Sequence, residues 1–110
     1  MARPPTDLLR GTLDLLILKT LLDGPLHGWA LAQRIEQQSE KLLRVGQGSL
    51  YPALQRLEQQ GWIESEWKPT EQNRPARVYS LTASGRRALA AETKSWRQYV
   101  HAVDLILGET

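Results

Sequence analysis

The run Gly46-Gln47-Gly48-Ser49-Leu50-Tyr51-Pro52-Ala53-Leu54-Gln55-Arg56-Leu57-Glu58-Gln59-Gln60-Gly61-Trp62-Ile63 decides the fold. Leu50, Leu54 and Leu57 recur at i, i+4 and i+7, so they share one face of a helix, while Gln47, Tyr51, Gln55 and Arg56 fall on the opposite or flanking arc. Pro52 has no backbone N–H and suits a first helical turn, which puts the predicted start near Gly48 or Ser49, with Ser49 as the cap. Gly61 then separates the helix from a strand that begins at Trp62 and Ile63. The polar arc therefore starts at a helix N-terminus, whose partial positive charge and free N–H groups suit a phosphate-rich partner.

On the N-terminal side, Thr6 or Asp7 can cap a first helix with Leu9, Leu13, Leu16, Ile17 and Leu21 at helical spacing, ended by Asp23-Gly24-Pro25. His27 and Gly28 open a second helix that points Leu31 and Ile35 inward and stops in the polar run Gln37-Gln38-Ser39-Glu40. Leu42, Leu43 and Val45 read as a short extended piece. On the C-terminal side, Trp62, Ile63, Ser65 and Trp67 form a strand, Pro69 to Pro75 a turn, and Arg77-Val78-Tyr79-Ser80-Leu81 the returning strand of a hairpin. Trp62 and Trp67 are expected in or at the edge of the core.

Thr82 or Ser84 caps a last helix that runs to about Leu107. Its stripe of Trp96, Tyr99, Val100, Val103 and Leu107 extends beyond what one small core can cover, and the fitting cover is the same helix of a second copy. Three helices followed by a hairpin is the order of a winged helix-turn-helix, in which the third helix enters the major groove and the wing reaches flanking backbone. The expected fold is mainly α with a small β-hairpin: a winged helix-turn-helix domain over residues 1–81 and a long C-terminal dimerisation helix over 82–110.

Composition narrows the function. The 110 residues make one domain without room for a second, catalytic one. The net charge of +2, from 14 basic and 12 acidic residues, does not by itself prove a polyanionic partner. Between positions 68 and 87, however, Lys68, Arg74, Arg77, Arg86 and Arg87 face Glu71 alone. With no cysteine there is no disulfide frame and no thiolate nucleophile or metal ligand, which fits a cytoplasmic location. The apolar run Leu13 to Leu22 is interrupted by Asp14, Lys19 and Thr20, so neither a targeting segment nor a membrane partner is expected, and Met1 to Pro5 reads as a loose arm.

Four pieces of the chain closely resemble the PadR family of bacterial transcriptional regulators. They are Gly24-Pro25-Leu26-His27-Gly28-Trp29, Gly48-Ser49-Leu50-Tyr51-Pro52-Ala53-Leu54, Leu57-Glu58-Gln59-Gln60-Gly61-Trp62-Ile63 and Tyr79-Ser80-Leu81-Thr82-Ala83-Ser84-Gly85. The resemblance spans about Leu9 to Leu107, and it departs at Trp29, where the family usually has tyrosine; a phosphate contact there would come from the indole N–H. It implies a homodimeric repressor that binds palindromic double-stranded DNA and is often released by a small hydrophobic compound. The brief tail resembles the short subgroup with a single dimerisation helix. Ser95-Trp96-Arg97 resembles the part of that helix that places a tryptophan at the dimer centre in multidrug-sensing relatives.

The candidate DNA contacts are Gln47, Ser49, Tyr51, Pro52, Gln55 and Arg56 on the third helix, Lys68, Arg74 and Arg77 on the hairpin, and His27 at the start of the second helix. Gln addresses adenine in bidentate fashion, and a hairpin arginine neutralises phosphate or enters a narrow minor groove. The blander readings are a solvated helix face and an edge strand protected by charge; Arg86 and Arg87 are read as solvated. Trp96, Tyr99, Val100, Val103 and Leu107 are the expected dimer interface, with Trp96, Val100 and Val103 as the walls of a slot for a small aromatic effector. His27 and His101 lack acidic or cysteine neighbours at ligand spacing, and no nucleophile elbow surrounds Ser49 to make a triad with His27 and Asp14. The sequence therefore predicts no enzyme, no metal and no cofactor. The competing classes are a winged-helix module that holds a protein and a small-ligand carrier built on the dimer slot.

Overall fold

The structure, a computed structural model, describes residues 6–108, with side chains from residue 11 onward. The arm expected over Met1 to Pro5, a cap from Thr6 or Asp7 and the inward position of Leu9 lie outside what is described. Helix α1 (Thr6–Leu21) touches α2 (Gly28–Gln38), α3 (Gln47–Gln59), α4 (Ala83–Leu107) and the strand β3 (Pro75–Leu81), and is the hub of the body. Ile17, Leu18 and Leu21 are at most 2% exposed. Leu18 joins the expected stripe because neighbours pack on more than one side of α1, so the helix buries a wider arc than a single amphipathic face.

Two short strands frame the third. β1 (Leu26–His27) and β2 (Ile63–Pro69) both pair antiparallel with β3, in the order β1-β3-β2, with Leu26 opposite Tyr79 and Ile63 opposite Leu81. β1 is only two residues long, too short to show the alternation that marks a strand in sequence. Leu31 and Ile35 from α2, Leu50, Ala53, Leu54 and Leu57 from α3, Ile63, Tyr79 and Leu89 complete one core cluster with α1.

The extended piece expected at Leu42, Leu43 and Val45 is not a strand. The sheet described is β1-β3-β2, and the segment pairs with neither outer strand; local hydrogen bonds hold it as a loop instead. Glu40 and Lys41 take left-handed backbone (φ 54° and 66°), the Leu43 N–H donates to Ser39 Oγ at 3.1 Å, and the Val45 N–H donates to Glu36 Oε2 at 3.4 Å. Leu42 is 85% exposed.

Gly61 joins α3 to β2 through two hydrogen bonds, Trp62 N–H to the Leu57 carbonyl (3.1 Å) and Gly61 N–H to the Glu58 carbonyl (3.0 Å), with φ +77° at Gly61. This is a Schellman ending, which needs a left-handed residue and so favours glycine. The wing tip turns at Asn73 (φ 62°), whose N–H donates to the Thr70 carbonyl at 2.8 Å, and the Thr70 N–H closes the loop on the Arg74 carbonyl at 2.8 Å.

Thr82 caps α4: its Oγ1 accepts from the Gly85 N–H at 2.9 Å and donates to the Gly61 carbonyl at 2.7 Å, so one side chain ties the last helix to the α3–β2 corner. A Cβ on buried Gly85 would overlap the Trp62 carbonyl oxygen and Leu81 Cδ1. At 25 residues α4 is about 37 Å long, and it contributes to a longest dimension of 53 Å and a radius of gyration of 15.3 Å, against about 13 Å expected for a compact chain of this size.

Candidate nucleic-acid interface

The Leu50, Leu54 and Leu57 face of α3 is at most 1% exposed, and that burial sets the opposite face outward. Gln47, Gly48, Ser49, Tyr51, Pro52 and Gln55 are all exposed. Together they form a continuous polar surface with amide, hydroxyl and phenol groups on one side of one helix. The helix starts a residue or two earlier than expected: Gly46 is the N-cap, with no side-chain cap, and its carbonyl accepts from Ser49 and Leu50 N–H at 3.1 and 2.9 Å. Ser49 is therefore a first-turn residue rather than the cap.

Pro52 consequently sits in the second turn, not the first. The missing N–H is the one that would meet the Gly48 carbonyl, and it is tolerated because Gly48 is exposed, so solvent or a bound partner can satisfy that oxygen. The uncapped N-terminus, with no acidic residue in its first turn, retains its positive end.

Tyr51 is 45% exposed, yet its position is fixed from below. A Cβ on buried Gly28 would lie 3.1 Å from Tyr51 Oη and 3.2 Å from Cε1, so the absence of a side chain at the start of α2 lets the ring lie there. The Tyr79 phenol is held above its usual pKa, first by burial; Arg77 opposes the shift while Glu58 and Tyr51 add to it. These four side chains form one electrostatic neighbourhood under the wing.

Arg56 does not join the free polar arc. Its guanidinium donates to Asp14 Oδ1 at 2.9 Å and ties α3 to α1, with the two side chains 31% and 23% exposed. The Asp14 carboxylate thus serves an arginine, and no cluster of three metal-ligating side chains exists among the described residues, His27 and His101 included. His27 lies in β1 opposite Val78 and is the N-cap residue of α2, without a side-chain cap bond.

The wing residues divide. Arg74 is exposed at the tip and makes no ion pair among the described residues. Lys68 pairs with Glu66 at 2.9 Å, both more than half exposed, a contact that water and salt weaken. Arg77 stands away from the tip, where its Nε donates to Ser65 Oγ at 2.8 Å and a terminal nitrogen lies 3.6 Å from Glu58 Oε2. Its guanidinium carbon is 5.7 Å from the centre of the Trp67 ring. Trp67, expected in or near the core, is 65% exposed and serves as that stacking surface, whereas Trp62 packs half-buried against the core. Glu58 and Ser65 are not among the candidate contacts that the sequence offers; the available signal is that Glu58 follows Tyr51 by seven residues and so shares its helix face.

On α4, Trp96 and Tyr99 are 37% and 46% exposed with ring centroids 6.0 Å apart, and Val100 and Val103 are half-buried. Leu107 is 67% exposed, as are the neighbouring Leu105 (68%) and Ile106 (86%). No described helix is long and apolar enough to cross a membrane.

Residues 17–91 match the model of the transcriptional regulator PadR-like family. A transcriptional regulator of Mycobacterium tuberculosis is 34% identical over 94 residues, covering 86% of this chain and 84% of that protein. A PadR family transcriptional regulator from Eggerthella lenta has a solved structure that superposes with a TM-score of 0.78 at 32% identity, covering 92% of this chain and 86% of the other. A transcriptional regulator from Clostridium thermocellum superposes with a TM-score of 0.81 at 25% identity, covering 90% and 96%.

Proposed function

This chain belongs to the PadR-like family of DNA-binding transcriptional regulators, not enzymes, and within that family we propose that it is a homodimeric repressor of a palindromic operator. Residues 1–81 are the DNA-binding unit and 82–110, through α4, the dimerisation unit. The two α3 helices enter successive major grooves about one helical turn apart, with Gln47, Ser49, Tyr51, Pro52 and Gln55 against base edges and phosphates. Lys68 and Arg74 lie on flanking backbone, His27 meets a phosphate, and the protein acts in the cytoplasm. The observation that carries this reading is the exposed polar face of α3, uncapped at its positive end.

Selection of bound sites from random duplexes tests it. A palindrome should emerge, bound far more tightly than random competitor; affinity indifferent to sequence would instead favour a protein-interaction module. Arg74→Ala should weaken binding to all sequences alike and flatten the dependence of log affinity on log salt by about one unit per protomer. An unchanged slope would remove Arg74 from the contact set.

The half-exposed Trp96, 6.0 Å from Tyr99, supports a finer reading in which paired Trp96 rings, with Val100 and Val103, form a slot for a flat aromatic effector. An effector there would bias the spacing of the two reading helices. Tryptophan emission titrated with planar aromatics should respond in the wild type and not in Trp96→Ala. Tight binding of aromatics by a protein that selects no DNA site would point to a carrier.

A further inference from the structure

We propose that Glu58, Ser65 and Arg77 form a brace that sets the angle of the wing against the reading helix, with Glu58 as its positioning residue. This rests on the reading of α3 and the hairpin as a DNA-binding pair.

Three elements each contribute one group. Glu58 stands in the last turn of α3, Ser65 on β2 and Arg77 on β3. The Ser65 hydroxyl spends its single proton on Glu58 Oε2 (2.8 Å) and accepts from Arg77 Nε (2.8 Å), so both of its hydrogen-bonding directions point along the chain of contacts. A terminal nitrogen of Arg77, 3.6 Å from the same carboxylate oxygen, closes the triangle. Trp67, opposite Arg77 in the β2–β3 register, flanks the guanidinium, which is therefore fixed by hydrogen bond, charge and ring together.

An isolated exposed ion pair would do little. This one differs because its bonds are directional and run from the helix that enters the groove to both strands of the wing. Glu58 lies seven residues beyond Tyr51, on the same polar stripe as Gln55, where an acidic side chain facing DNA is electrostatically unfavourable. A carboxylate at that place is explained by what it holds. Arg77 acts through the wing, delivering Arg74 and Lys68 to the flanks, rather than as a phosphate ligand of its own.

The two roles predict opposite signs. If Arg77 simply contacted phosphate, Glu58→Gln would remove a repulsive charge and strengthen binding. A brace predicts weakening confined to the wing. The measurement uses the selected operator as a full duplex and as a duplex trimmed of the base pairs beneath the wings. The ratio of the two affinities reports the wing's contribution. Glu58→Gln and Ser65→Ala should each reduce that ratio by roughly tenfold, with affinity for the trimmed duplex intact in Ser65→Ala and no lower than wild type in Glu58→Gln. Ser65→Thr, which keeps the hydroxyl, should retain the wild-type ratio.

The brace is overturned by an unchanged ratio in Glu58→Gln, by tighter binding of the full duplex, by equal losses on both duplexes, or by a wild type that binds both duplexes equally. A wild type that prefers no selected duplex over random DNA would instead strike the DNA-binding reading itself.

Discussion

In the first turns of α4, Gly85 and Leu89 are buried and Thr82 is bonded at both ends of its hydroxyl, whereas in the last turns Leu105, Ile106 and Leu107 stand 68%, 86% and 67% exposed. The helix is continuous, and its apolar residues recur throughout. What differs is the cover. The first half is packed by the α3–β2 corner and the core cluster, and the second half projects past them. A helix of this length holds its own backbone hydrogen bonds, so it can extend an apolar stripe beyond the body at little local cost. Such a stripe is stable as an interface and a liability as a free surface.

Gly85→Ala should be the most damaging change on the covered half, costing about 3 kcal/mol in urea unfolding, because the new Cβ meets a backbone carbonyl that cannot rotate away. A loss near zero would mean that the corner can open without penalty, and the contrast between the halves would fail. On the open half, Val103→Asp should leave far-UV circular dichroism intact and weaken self-association about a hundredfold, equivalent to about 2.7 kcal/mol, as read by sedimentation. An unchanged dimer would move the interface away from this stripe. Thr82→Ala should cost about 1 kcal/mol, removing the α4 cap and its link to the Gly61 carbonyl. An equal loss from Ser84→Ala would assign the cap to the wrong residue.

Legibility in sequence follows the range of the forces involved. The Leu50, Leu54 and Leu57 face, the Gly61 junction and the hairpin are decided within a few residues and could be read directly, while the same short range narrows the α4 cap only to Thr82 or Ser84, of which the structure has Thr82. The start of α3 could not, because Gly46 and Ser49 are both acceptable caps, and it is the Gly46 carbonyl that takes the first helical hydrogen bonds. The Arg56–Asp14 pair joins residues 42 apart in sequence, and nothing local to Arg56 reveals that its charge is engaged. Trp67 was misplaced for a related reason: a large ring on a strand suggests burial, but this one lies beyond the last core pair and serves an arginine instead. Leu42 and Val45 have strand-like character, but bonds from their segment to Ser39 and Glu36 hold it as a loop, and those partners lie outside the apolar pattern itself.

Pro52 leaves one oxygen in the middle of the candidate reading surface that belongs to no side chain. Alanine scanning along α3 would pass over it at Gly48, since every residue placed there brings the same carbonyl. The acceptor would lose its availability only when position 52 regained an amide hydrogen, so a change in preferred bases caused by Pro52→Ala but not by N-methylalanine at position 52, which lacks both the ring and the amide hydrogen, would reveal recognition written in the main chain.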